Sequence, residues 1–170
     1  HSVQINALAR SGVDLVTAVT MTHSGEAIGI VEAAKVAEVP IVVSFTVELD
    51  GNLPTGQSIG EAIAEVDAAT DNGPVYYMIN CAHPDHFSQA LDQPWAQRIR
   101  AIRANASRLS HAELDEAEVL DAGNPQEFGQ LYRKLRESFP QLTILGGCCG
   151  TDHRHIGEIG TSCCAHTKAA

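Results

Sequence analysis

Short apolar runs rich in β-branched residues recur along this 170-residue chain, and stretches of helical character separate them. The runs fall at residues 14–20, 41–47, 75–81, 99–104 and 142–145, the fourth being the weakest. Five strands alternating with helices specify a parallel sheet with helices packed against it, the α/β class. The helical stretches are 1–10, from Ser24 or Gly25 to 38, 58–71, 83–91 and 126–138. In the first, Val3, Ala7 and Leu8 share a face. In the second, Ala27, Ile28, Val31 and Ala34 do. Ser58 followed by Glu61 fits a capping box. His83-Pro84-Asp85 opens the fourth helix, and Asn124-Pro125 caps the fifth, with proline suited to a first turn. Pro40 leads into one strand, Asp50-Gly51-Asn52 is a turn signal, and Asn72-Gly73-Pro74 and Pro140 each end a helix. Residues 110–123 are acidic and read as a long surface loop. No internal repeat, low-complexity segment, GxGxxG or phosphate-loop signature is present.

The last strand leads directly into Gly146-Gly147-Cys148-Cys149-Gly150-Thr151. Neighbouring residues on a regular strand point to opposite faces. Glycines on both sides free the backbone to bring both thiols to one point. Two small buried cysteines are common in cores, but packing alone does not require glycine on both sides. A third thiol, Cys81, ends the run 75–81. If the two strands are parallel neighbours, their C-terminal ends lie on one face and three cysteines converge. Zinc accepts thiolate ligands, and a catalytic zinc site keeps three protein ligands and an open fourth position.

At these residues the chain resembles a known family. Asn80-Cys81 with Gly146-Gly147-Cys148-Cys149-Gly150-Thr151 is similar to the zinc-dependent homocysteine S-methyltransferases. So are Val43-Ser44-Phe45-Thr46-Val47-Glu48, Leu53-Pro54-Thr55-Gly56-Gln57-Ser58 and Thr151-Asp152-His153-Arg154-His155-Ile156. The resemblance runs from about Gly12 to Ile159, and the cysteine motif is its most specific part. It implies a (β/α)8 TIM barrel with zinc on Cys81, Cys148 and Cys149. It also implies methyl transfer to the thiol of homocysteine, giving methionine. The donors known across the family are sulfonium, betaine-type and folate methyl carriers, and nothing in this sequence selects among them.

A complete barrel of this kind needs about 250 residues. The chain is therefore expected to supply about the last five strands, as a single domain whose first three strands are absent. A truncated gene, a split protein and an engineered fragment would all read this way. Parallel strands are usually apolar on both faces, and the two strands left at the edges, 14–20 and 142–145, are expected to pair with a second copy or with an N-terminal barrel fragment. Where the family often has an acidic residue for the substrate amino group, this chain has Val19. With Val19 and the absent strands, the isolated chain is expected to turn over little or no homocysteine. A catalytically inert zinc-binding member is the alternative reading.

Asn80 is expected to touch substrate or the cysteine backbone, with a simple strand-ending role as the competing assignment. Cys163 and Cys164 read as tail cysteines. His83, His86, His153 and His155 lie near the motif in sequence, and read as caps or surface residues because three cysteines already fill the ligand set. Glu48 and Asp50 follow a strand end, where barrel sites form, and read as loop residues with a possible part in binding a cationic donor or an amino group. A dithiol redox role for Cys148 and Cys149 is disfavoured, because adjacent cysteines strain a disulfide. The net charge of −10 argues against nucleic acid or anionic membrane as partner. An odd cysteine count of 5, no secreted disulfide framework, no visible signal peptide and no long apolar run point to the cytoplasm.

Overall fold

The computed structural model describes residues 1–164. In chain order the elements are α1 (Ser2–Arg10), β1 (Val16–Met21), α2 (Ser24–Val36), β2 (Ile41–Phe45), α3 (Ile59–Thr70), β3 (Tyr77–Asn80) and α4 (Pro84–Phe87). Short 3-10 turns at Ser88–Leu91 and Pro94–Arg98 follow, then β4 (Ile99–Ala104), α5 (His111–Glu116), α6 (Pro125–Ser138), β5 (Ile144–Gly147) and α7 (His153–Cys164). The described strands form one sheet in the order β1-β2-β3-β4-β5, every pair parallel. Strands in chain order, each returned by a helix, are the architecture of a partial (β/α)8 barrel. All strand C-termini consequently open on one side of the sheet.

Two faces with different chemistry explain why the sheet holds together. On the helix side, Ile41, Val43, Phe45, Tyr77, Ile79, Ile99 and Ile102 are buried against Ala27, Val31, Ile63, Val66, Phe128 and Tyr132. A smaller cluster of Val42, Met78 and Ala101 lies on the other face. Higher on that face the expectation of apolar strands fails. Ser44 and Asn80 are buried and polar, and Arg103 is exposed. Polar ties pin helices to strands at chosen points. The Tyr132 hydroxyl accepts from the Ala104 amide at 2.8 Å and donates to the Gly146 carbonyl at 2.5 Å, fixing α6 across β4 and β5. Asp67 on α3 accepts from Tyr77 Oη at 2.9 Å and takes a forked pair from Arg98 at 2.9 and 2.8 Å.

Most helix ends follow the sequence cues. Ser58 and Glu61 form the capping box, Asn124 Oδ1 accepts from the Glu127 amide at 3.0 Å, and Pro125 occupies the first turn of α6. Three readings need correction. The stretch 83–91 is not one helix, because α4 ends at Phe87 and continues as a 3-10 turn. Residues 110–123 are not wholly loop. Ser110 and Glu113 form a second capping box and start α5. Cys163 and Cys164 do not lie in an unstructured tail, since they occupy the last turn of α7. Among the described residues no helix is long and apolar enough to cross a membrane.

Candidate metal centre

Cys81 follows β3, Asn105 follows β4 and Cys148 follows β5, so parallel pairing delivers all three to the same rim of the sheet. The sulfurs of Cys81, Cys148 and Cys149 lie within 4.8 Å of one another. Cys81 and Cys148 are 67 residues apart in sequence, with Cα atoms separated by 5.4 Å. Their sulfurs are in bonding contact as a disulfide, and Cys149 is free and exposed. The partner of Cys148 is thus Cys81, and not the adjacent Cys149 of the dithiol reading. Among the described residues, this cysteine triad is the group of side chains close enough to hold a metal ion.

The turn that presents Cys148 and Cys149 is built by its neighbours. Cys148 donates its amide to the Ala104 carbonyl at 2.8 Å, which continues the β4–β5 ladder. Its carbonyl accepts from the Thr151 hydroxyl at 2.7 Å. A Cβ on Gly147 would run into that hydroxyl. Gly150 sits at φ +76°, and a Cβ there would approach the Asp121 carbonyl oxygen to 2.5 Å. Gly150 is therefore required by its positive φ and its approach to the Asp121 backbone, and Gly147 by the Thr151 side chain, whereas a Cβ on Gly146 would make only ordinary contact with Arg103.

Cys81 is held more unusually. It has φ +54°, a left-handed conformation that few non-glycine residues adopt. Its amide donates to the Arg103 carbonyl at 3.1 Å. Its carbonyl accepts from Asn105 Nδ2 at 3.0 Å and from His111 Nε2 at 2.7 Å. Asn105 also accepts the Cys149 amide on Oδ1 at 3.1 Å, so one side chain ties both cysteine segments together. The other nitrogen of His111 faces Glu48 Oε1 at 3.2 Å. Burial works against a charged His111 ring, but the Cys81 carbonyl and the Glu48 carboxylate outweigh it, and the pKa lies above the usual histidine value.

Asn80 is buried and spends its amide on the fold. Its Oδ1 accepts from the Thr20 amide at 2.9 Å and from the Ser44 hydroxyl, and its Nδ2 donates to Thr20 Oγ1 at 2.8 Å. It thereby braces β1, β2 and β3 one residue before the first thiol. Thr20 in turn places its hydroxyl 4.0 Å from Cys81 Sγ. Val19 is 43 % exposed on the edge strand. A cavity of about 400 Å³ opens beside the thiols. Cys81, Asn105, His111 and Cys149 line one side, and Leu114, Val119 and Leu120 wall the other.

The other sequence candidates lie outside the triad. His83 is buried, and its Nδ1 accepts from the Asp85 amide at 3.2 Å as the cap of α4. Burial pushes its pKa down to about 4. His86 donates to the Arg108 carbonyl at 3.0 Å, and His155 to the Ala122 carbonyl at 2.8 Å. His153 is an exposed first-turn residue of α7. Asp50 accepts the Asn52 amide at 3.0 Å within its turn. Cys163 on α7 packs near Arg136 of α6, which donates to its carbonyl at 2.6 Å, and burial raises its thiol pKa. Asn105 and His111 escaped the sequence reading. Asn105 carried one usable signal: it sits directly after its strand, as Cys81 does after β3. His111 carried another, an Ser110/Glu113 capping box that marks a helix start.

The chain is 29% identical over 127 residues to a methionine synthase of Mycobacterium leprae (strain TN). That match covers 73% of this chain and 10% of that protein, so the chain spans about a tenth of its relative's length. The family model described as homocysteine S-methyltransferase matches residues 1–163, a span that holds the whole sheet and all three converging thiols. On that match, the chain belongs to the homocysteine S-methyltransferase family.

Proposed function

We propose that the three thiols hold a zinc ion and that the chain serves methyl transfer to the thiol of homocysteine, giving methionine. The observation that carries this reading is the convergence of the Cys81, Cys148 and Cys149 sulfurs within 4.8 Å of one another at the C-terminal rim of the sheet. The donor set fits the metal. All three atoms are soft sulfurs, and three protein ligands leave one tetrahedral position open. When bound, zinc supplies Lewis acidity that keeps a substrate thiol deprotonated at neutral pH.

The chain's own residues do the rest. Cys81 and Cys148 become ligands once a thiol reductant gives their disulfide two electrons and is itself oxidised to a disulfide, each freed sulfur then binding as the thiolate, so the site belongs in a reducing compartment, the cytoplasm. Asn105 sets the spacing between the two cysteine segments. The cavity beside Cys149 accepts the acceptor and the methyl donor and aligns them, which can lower a barrier by several kcal/mol. The acceptor sulfur then bonds the methyl carbon as the donor's own bond to that carbon breaks, and the donor leaves with the electron pair. Asn80 supports the substrate end of the site from its place before Cys81.

Methionine formation from homocysteine, measured on the reduced, zinc-supplied chain with sulfonium, betaine-type and folate donors, tests the reading. Val19 and the open sheet predict slow turnover by the chain alone, below the roughly 1–1000 per second typical of enzymes, and faster turnover when the remaining barrel strands are supplied as a separate polypeptide. Zinc binding without methyl transfer in either case identifies an inert zinc-binding member of the family instead.

A further inference from the structure

We propose that His111, backed by Glu48, is a positioning residue for the thiol centre: it holds Cys81 in the left-handed conformation that turns its sulfur toward Cys148 and Cys149. The proposal rests on the metal reading above and extends it to residues outside the cysteine motif.

Cys81 cannot rest in this conformation unaided. A non-glycine residue at φ +54° is strained and persists only where its surroundings over-determine it. The over-determination is visible at its carbonyl, which takes His111 Nε2 at 2.7 Å and Asn105 Nδ2 at 3.0 Å, with the Thr46 hydroxyl more distant at 3.4 Å. The His111 bond is the shortest of these. His111 is itself fixed from behind, because its Nδ1 meets Glu48 Oε1 at 3.2 Å. The arrangement gathers three consecutive β/α units at one peptide: Glu48 after β2, Cys81 after β3 and His111 on the element after β4.

The element that carries His111 does two things at the site, since its Leu114 also lines the cavity beside the thiols. None of the residues of α5 is buried, so it contributes no core. Ser110 and Glu113 cap it, and its first residue reaches the site. Both ring nitrogens of His111 are occupied by protein acceptors, a backbone carbonyl and a carboxylate. That leaves the ring no free nitrogen for substrate and assigns it to support.

The test is zinc affinity of the reduced 170-residue chain, measured by competition with a chromophoric chelator, with thermal melts of the same metal-free proteins. His111→Ala is expected to weaken zinc binding about 10–100-fold, the usual effect of losing an outer-shell partner, while the metal-free melt stays near wild type. His111→Gln keeps an amide donor for the Cys81 carbonyl and should recover most of the affinity. Glu48→Gln should lose less than His111→Ala. Affinity of His111→Ala within twofold of wild type overturns the positioning role alone. So does a loss that tracks a fall in the metal-free melt and is not rescued by glutamine. A wild-type chain that takes up no zinc when reduced overturns the metal reading first, so the two failures are distinct.

Discussion

Asn105 joins the two cysteine segments through opposite ends of one amide, donating to the Cys81 carbonyl and accepting the Cys149 amide. Asn105→Ala removes two hydrogen bonds, each worth about 0.5–1.5 kcal/mol net, although the Cys81 carbonyl keeps His111 and the Cys149 amide lies where water can reach it. A chemical denaturation series should show destabilisation of that order, and chelator competition should show weaker zinc binding. Asn105→Asp keeps the acceptor and loses the donor, and should fall between the two. Tyr132→Phe makes the matching point away from the site. It strands the Ala104 amide and the Gly146 carbonyl, and should destabilise the chain by about 1–3 kcal/mol without altering zinc affinity. The difference between legible and illegible residues has a physical basis. Cys148 and Cys149 were readable because the tight turn that presents them needs Gly147 and Gly150, which leaves a mark in sequence. Asn105 and His111 act through hydrogen bonds from ordinary polar side chains, and one asparagine or histidine has no distinctive spacing.

Among the elements, α1 to α3, α6 and all five strands were readable, because caps, prolines and apolar runs marked them. α5 was hidden by its acidity and by having no buried face. α7 was hidden by Gly157 and Gly160, which lower helix propensity by about 1 kcal/mol each. Space around those glycines makes the point testable, since a Cβ at either would meet nothing within 4 Å. Gly157→Ala and Gly160→Ala should each stabilise the chain by about 0.5–1 kcal/mol. Gly129 on α6 should behave oppositely. A Cβ there would stand 2.7 Å from the Glu158 carbonyl oxygen on α7. Gly129→Ala must push the two helices apart and should destabilise by about 1–3 kcal/mol. Thermal melts of the three variants side by side would separate helix propensity from helix packing.

At the scale of the whole molecule, the described sheet has β1 and β5 at its edges, as the positions of the first and last apolar runs required. Leu15 and Val19 beside one edge and Ile144 on the other are 39, 43 and 43 % exposed. Unpaired edges with apolar neighbours favour pairing with another chain. The chain at micromolar concentration should therefore elute as a dimer or larger species, or shift to a defined complex when the remaining barrel strands are added. Size-exclusion chromatography with light scattering checks this, and a stable monomer with a cooperative melt would mean that the five strands suffice by themselves. The class of sheet was legible because strands alternating with helices pair in parallel, whereas the chain-order pairing followed from the family resemblance, since the same alternation also builds doubly wound sheets of a different order. The polar upper layer of Ser44, Asn80 and Arg103 was not, because period-two patterning does not say which buried position will find a hydrogen-bond partner.

The metal content of the reduced 170-residue chain, after dialysis against metal-free buffer, tests the three-thiol centre most directly. The wild type should retain about one zinc per chain, and the Cys148→Ser, Cys149→Ser double variant should retain almost none. Full zinc occupancy in that double variant would contradict the three-thiol centre.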